Sequence, residues 1–118
     1  LPQSSLKHLL SLTHTLGMDA LVEVHNAIQL EEAIGAGAKI IGVNSRDLIS
    51  LQVDLNRGVE LLQHIPRGIL RVAESGLSTA EDVERVRPMC DAPLIGSALM
   101  ESSNRAHTIE SLGWRQCA

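Results

Sequence analysis

The chain has 118 residues, 44% of them hydrophobic and 20% charged, with a net charge of −4. That length suits a single domain over residues 1–118, and the balance is that of a folded chain with an aliphatic core rather than a disordered one. The acidic excess argues against a nucleic-acid or anionic-membrane surface, and Trp114, the only aromatic residue, leaves no stacking platform or aromatic cage.

In chain order, Ser4 or Ser5 is placed to cap an amphipathic helix carrying Leu6, Leu9, Leu10 and Leu16, with Gly17 as its stop. The short Val-rich run Leu21 to His25 predicts a strand. Asn26, with Gln29 three places on, then opens a helix running to about Gly37. Ile40 to Asn44 predicts a second strand, followed by the polar segment Ser45 to Val53. Asp54 next caps a helix bearing Leu55, Val59, Leu62 and Ile65, which Pro66 and Gly68 end. Ile69 to Ala73 reads as a third strand, and Ser78 with Glu81 as a capping box for a helix containing Val83 and Val86 that Pro88 closes. A fourth strand from Pro93 to Gly96 precedes a turn of helix at Ala98 to Met100 and a last helix around Arg105 to Leu112.

The polar strand ends Glu23, Asn44, Glu74 and Gly96 are 21, 30 and 22 positions apart, the spacing of repeated βα units rather than hairpins. Short apolar strands, each followed by a helix, imply a parallel sheet covered on both faces. Four such units in 118 residues equal half of a TIM (βα)8 barrel, which needs about 250 residues. A small open doubly wound sheet fits the same periodicity, and periodicity alone favours it.

Cys90 and Cys117 lie 27 positions apart and form no C-x-x-C pair, which speaks against a disulfide framework or a zinc site and for a reduced, cytoplasmic compartment. No run approaches about 18 consecutive apolar residues, and the first residues lack the layout of a secretory leader. A start at Leu1 rather than Met suggests a piece of something longer.

Each strand turns polar at its C-terminal end, the edge at which parallel α/β folds bind ligands. There the pairs Ser75-Gly76 and Gly96-Ser97 suggest phosphate, because glycine lets backbone N–H groups approach an anion and serine adds a hydroxyl donor. Glu74 beside them would repel a phosphate, so its carboxylate is expected to point inward, toward substrate hydroxyls. Arg46 and Asp47 also admit a plain local ion pair. His25 reads as structural, His8, His14, His64 and His107 as ordinary helix or loop residues, and Cys90 as a packed small residue.

Val22-Glu23-Val24-His25, I-G-V-N-S-R-D-L from Ile41 to Leu48, V-A-E-S-G-L-S from Val72 to Ser78 and L-I-G-S-A-L-M from Leu94 to Met100 together resemble the last four strands of indole-3-glycerol-phosphate synthase. They do so in order and across nearly the whole chain, and N-S-R-D-L with A-E-S-G is the diagnostic part. The resemblance implies strands five to eight of a (βα)8 barrel. It also implies a cofactor-free carboxy-lyase that closes the pyrrole ring of 1-(2-carboxyphenylamino)-1-deoxyribulose 5-phosphate, with loss of CO2 and water, in tryptophan biosynthesis.

Carried over by position, Glu23 is the proton-transfer or electrostatic group at the reacting ring and Asn44 the orienting amide. Arg46 lies at the anthranilate end, Glu74 at the sugar hydroxyls, Leu94 in the apolar wall, and Ser75, Gly76, Gly96 and Ser97 in the phosphate grip. The family's principal lysines belong to the first strands, and Lys7 and Lys39 match none of them. The expected partners are therefore a phosphorylated small molecule and either the missing N-terminal half-barrel or a second copy, with no nucleic acid, membrane or metal. Other readings are a non-catalytic phosphate-binding or assembly module, and another phosphosugar barrel such as phosphoribosylanthranilate isomerase, which would lack N-S-R-D-L.

Overall fold

The structure is a computed structural model that describes residues 1–113. Trp114 and Cys117, and with Cys117 the disulfide question, lie outside the described residues. Among the described residues, six helices and four strands follow one another as α1 (Gln3–Thr15), β1 (Leu21–Val24), α2 (Ala27–Ala36), β2 (Ile40–Asn44), α3 (Leu55–Gln63), β3 (Leu70–Glu74), α4 (Ala80–Val86), β4 (Ala92–Leu94), α5 (Ser97–Met100) and α6 (Arg105–Ser111). The sheet order is β1-β2-β3-β4 and every pairing is parallel. All four strand C-termini therefore share one edge.

The register explains which residues become core. Side chains alternate along a strand, so Val24, Ile41, Val43 and Ala73 point to one face, where they are buried against Leu30 and Ala33 of α2, Leu61 and Leu62 of α3, and Val83 and Val86 of α4. Burying a side chain of this size stabilises by roughly 1.5–3 kcal/mol, so this aliphatic layer is the main source of cohesion. The opposite face carries Leu21, Glu23, Gly42, Asn44, Leu70, Val72, Glu74 and Leu94. No helix of the described residues covers it: Leu21, Leu70 and Leu94 remain 44%, 55% and 53% exposed. This bare face belongs to four successive parallel (βα) units, an arrangement consistent with half of a (βα)8 barrel.

Element boundaries differ from the sequence expectations in physically instructive ways. Ser4 and Ser5 lie inside α1, whose N-cap position is Pro2 with no side-chain hydrogen bond. Gly17 does stop that helix, at φ 70°. Asn26 caps α2 by accepting from the Gln29 N–H at 2.9 Å, and Gly37 ends it in the left-handed region. Asp54 caps α3 by accepting from the Arg57 N–H at 3.1 Å. The box before α4 is Thr79 with Asp82, one residue later than Ser78 with Glu81: the Asp82 carboxylate accepts from the Ser78 and Thr79 N–H groups, and the Thr79 hydroxyl accepts from the Asp82 N–H. β3 begins one residue later than expected, and β4 stops at Leu94, which leaves Gly96 to cap α5. Among the described residues, no helix is long and apolar enough to cross a membrane.

Candidate functional site at the strand ends

The side chains expected to act together do converge on one edge. The Glu23 carboxylate accepts from Asn44 Nδ2 at 3.2 Å and lies 2.7 Å from His25 Nε2, both contacts being made by its Oε1. Asn44 Oδ1 in turn accepts from the Arg46 N–H at 2.9 Å, so the amide is fixed at both ends. Asn44 and Glu74 are register partners, and so are Glu74 and Leu94, which places the three in one row across the sheet.

Glu74 is the only buried charged residue among those described, at 5% exposure. Its Oε1 lies over Gly42, where a Cβ would collide with it. That oxygen has no donor among the described residues. Burial first, and then the facing Glu23 carboxyl, push Glu74 up to about 7. Burial acts to raise Glu23 as well, but hydrogen bonds from Asn44, Glu74 and His25, with the His25 charge, outweigh it and hold Glu23 below the ordinary glutamate value. The two carboxyls thus titrate as a pair. Glu23 is the member of the pair that favours ionisation, and Glu74 the member that favours keeping its proton.

A cleft of about 640 Å³ adjoins this pair, lined by Glu74, Arg46, Leu94 and both glycine–serine corners. The N–H groups of Gly76, Ser97 and Ala98 and the hydroxyls of Ser75, Ser78 and Ser97 have no partner among the described residues, so the cleft is lined by unused donors. Ser75 holds φ 63°, a left-handed conformation that costs a non-glycine residue about 1 kcal/mol, and Gly76 follows at φ 75° against Val53. The chain is thereby turned sharply at the end of β3.

The loop after β2 closes one side of the cleft. Arg46 bridges to Val53, and its Nη1 donates to the Leu51 carbonyl at 3.2 Å. Asp47 forms no ion pair with Arg46. Its carboxylate turns into its own loop and accepts from the Ser50 and Ile49 N–H groups and the Ser50 hydroxyl, which holds it below its ordinary range. Lys7 lies in α1, and Lys39 precedes β2 at the opposite end of the sheet from the cleft.

One member of the site escaped the sequence reading, and another, His25, was expected only as a structural residue. Gly42 is the cradle for Glu74, and His25 contacts Glu23 directly. The signal for His25 was the strand alternation that puts residues 23 and 25 on one side. The cradle at Gly42 depends on cross-strand register, which the sequence does not print.

Comparison with known proteins adds a family. The family model described as Indole-3-glycerol phosphate synthase matches residues 1–112. The indole-3-glycerol phosphate synthase of Streptococcus mutans serotype c is 41% identical over 112 residues, covering 95% of this chain and 44% of that protein. That of Streptococcus pneumoniae strain Hungary19A-6 is 40% identical over the same shares. The chain thus spans less than half the length of these relatives. Among solved structures, it resembles the Amycolatopsis orientalis BexX/CysO complex at TM-score 0.67 and 18% identity, covering 94% of this chain and 46% of that one. It resembles the native KDPGal structure at TM-score 0.63 and 17% identity, covering 95% and 51%. These last two are likenesses of fold.

Proposed function

Because the chain belongs to the indole-3-glycerol phosphate synthase family, we propose that its strand-end rim is one side of an active site that makes indole-3-glycerol phosphate from 1-(2-carboxyphenylamino)-1-deoxyribulose 5-phosphate. The reaction closes the pyrrole ring and releases CO2 and water. The observation that carries this reading is the facing carboxyl pair Glu23 and Glu74, braced by the Asn44 amide, beside a cleft whose free donors suit a phosphate.

In that site Glu23, ionised and held by Asn44, moves a proton at the reacting ring or stabilises the charge that develops there. Asn44 keeps the carboxylate oriented. Glu74 meets the sugar hydroxyls and, because it carries a proton part of the time, can either donate or accept at neutral pH. Ser75, Gly76, Gly96 and Ser97 hold the phosphate, Arg46 lies toward the anthranilate carboxylate, and Leu94 supplies the apolar wall. Cys90, buried and without a disulfide among the described residues, suits a reducing, cytoplasmic setting.

With Lys7 and Lys39 both away from the cleft, the chain alone binds better than it turns over, and its proposed partner is a further set of (βα) units that closes the barrel. The test joins this chain to the first four (βα) units of the Streptococcus mutans relative and assays ring closure. The expected result is synthase turnover that Glu23→Gln lowers by about 100-fold. A folded, closed barrel without turnover would favour the second reading, a phosphate-binding module without catalysis, for which the unpartnered N–H groups speak independently.

A further inference from the structure

His25 makes a contact that none of these roles uses. Its Nε2 lies 2.7 Å from Glu23 Oε1, and its Nδ1 is buried with no partner among the described residues. The carboxylate is therefore the ring's one polar contact there. An ionised carboxylate only accepts, so Nε2 carries the hydrogen and donates. The side chain is 14% exposed, against 44% for Glu23.

The backbone holds the ring in place. The His25 N–H donates to Gln29 Oε1 at 2.8 Å, its carbonyl accepts from Arg57 Nε at 3.1 Å and from Arg57 Nη2, and the next residue, Asn26, caps α2. Two helices thus fix an imidazole whose buried nitrogen gains nothing from being there. A buried nitrogen without a partner is unfavourable, and among the described residues the ring's polar return is its contact with Glu23.

Glu23 Oε1 takes two donors, Asn44 Nδ2 from the end of β2 and His25 Nε2 from just after β1. A carboxylate held by two donors on one oxygen cannot swing about its terminal bond, so its second oxygen keeps a fixed direction. The other titratable and charged groups around it are Glu74 on β3, Glu32 of α2 and the α-amino group of Leu1 along the neighbouring cleft, and Arg57 of α3 on the His25 carbonyl.

On the reading of Glu23 as the proton-transfer group, we infer that His25 is a positioning residue that fixes the Glu23 carboxylate through Nε2. The test has two arms with two variants. His25→Leu removes the donor, and His25→Gln keeps an N–H donor at similar reach. His25→Asn, polar but too short to reach Glu23, replaces the leucine variant if that one fails to fold.

In the chain itself, carboxyl-carbon NMR follows the Glu23 titration. The midpoint moves up, toward the ordinary glutamate value, in His25→Leu and returns in His25→Gln. In the closed barrel, His25→Leu lowers kcat by about 10-fold with KM nearly unchanged and moves the acid limb of the pH profile up, while His25→Gln restores most of both. An unmoved Glu23 titration in His25→Leu, or a glutamine variant no better than the leucine one, overturns the inference. An unsubstituted closed barrel without turnover overturns the synthase reading instead, and the NMR arm still decides whether His25 governs Glu23.

Discussion

Glu74 ties the site to folding stability through its proton. Its carboxyl rises from an ordinary 4.5 to about 7 in the folded chain, so the folded state binds more protons than the unfolded one between those values. Stability linked to Glu74 is fully present below pH 4.5 and is lost as pH climbs through about 7, on the order of 3 kcal/mol in all. Glu23, held below its ordinary value, acts in the opposite sense: its contribution is present above that value and is lost only as the pH falls through its lowered one. Urea unfolding at pH 5 and pH 8.5 should show the chain weaker at the higher pH, with Glu74→Gln removing most of the difference. Equal pH dependence in the two proteins would show that Glu74 is not held protonated. Glu23, Asn44 and Glu74 were legible in the sequence because each interrupts an apolar run at its end. Gly42 and His25 were not, because their significance lies in what the neighbouring strand, or the next residue on the same side, places against them.

Among the elements, α4 separates pattern from geometry. The run Ser78-Thr79-Ala80-Glu81-Asp82 contains two overlapping capping boxes, and composition does not choose between them. The extended conformation of Thr79, φ −125° and ψ 162°, sets the first turn so that Asp82 reaches back to two N–H groups. Thr79→Ala should therefore cost about 1 kcal/mol in thermal or urea unfolding, and Ser78→Ala less than about 0.5 kcal/mol. The reverse order would put the cap at Ser78. The caps at Asn26 and Asp54 were read correctly because only one side chain at each place can start the helix. α1 was misread because Ser4 and Ser5 look like caps, whereas Pro2 needs no N–H partner and presets the turn.

At the scale of the whole molecule, the inner face of the sheet is the unfinished part. Leu21, Leu70 and Leu94 stand exposed on it, and among the described residues β1 pairs only with β2 and β4 only with β3. Parallel sheets normally have both faces covered and leave no long bare edges. The chain should accordingly associate with itself, seen as a concentration-dependent sedimentation coefficient that Leu70→Lys lowers. A monomer at every concentration would mean that this face is tolerated bare. The alternation of strand and helix showed four parallel units, but half a barrel and a small open sheet share that alternation, and the family motifs were needed to choose. The most direct test of the strand-end site is a calorimetric titration of the chain with indole-3-glycerol phosphate and, separately, with inorganic phosphate. Binding of the indole compound at least about tenfold tighter, a difference abolished by Asn44→Ala, is the predicted result; equal affinity for the two ligands, or a preference that survives the substitution, would contradict it.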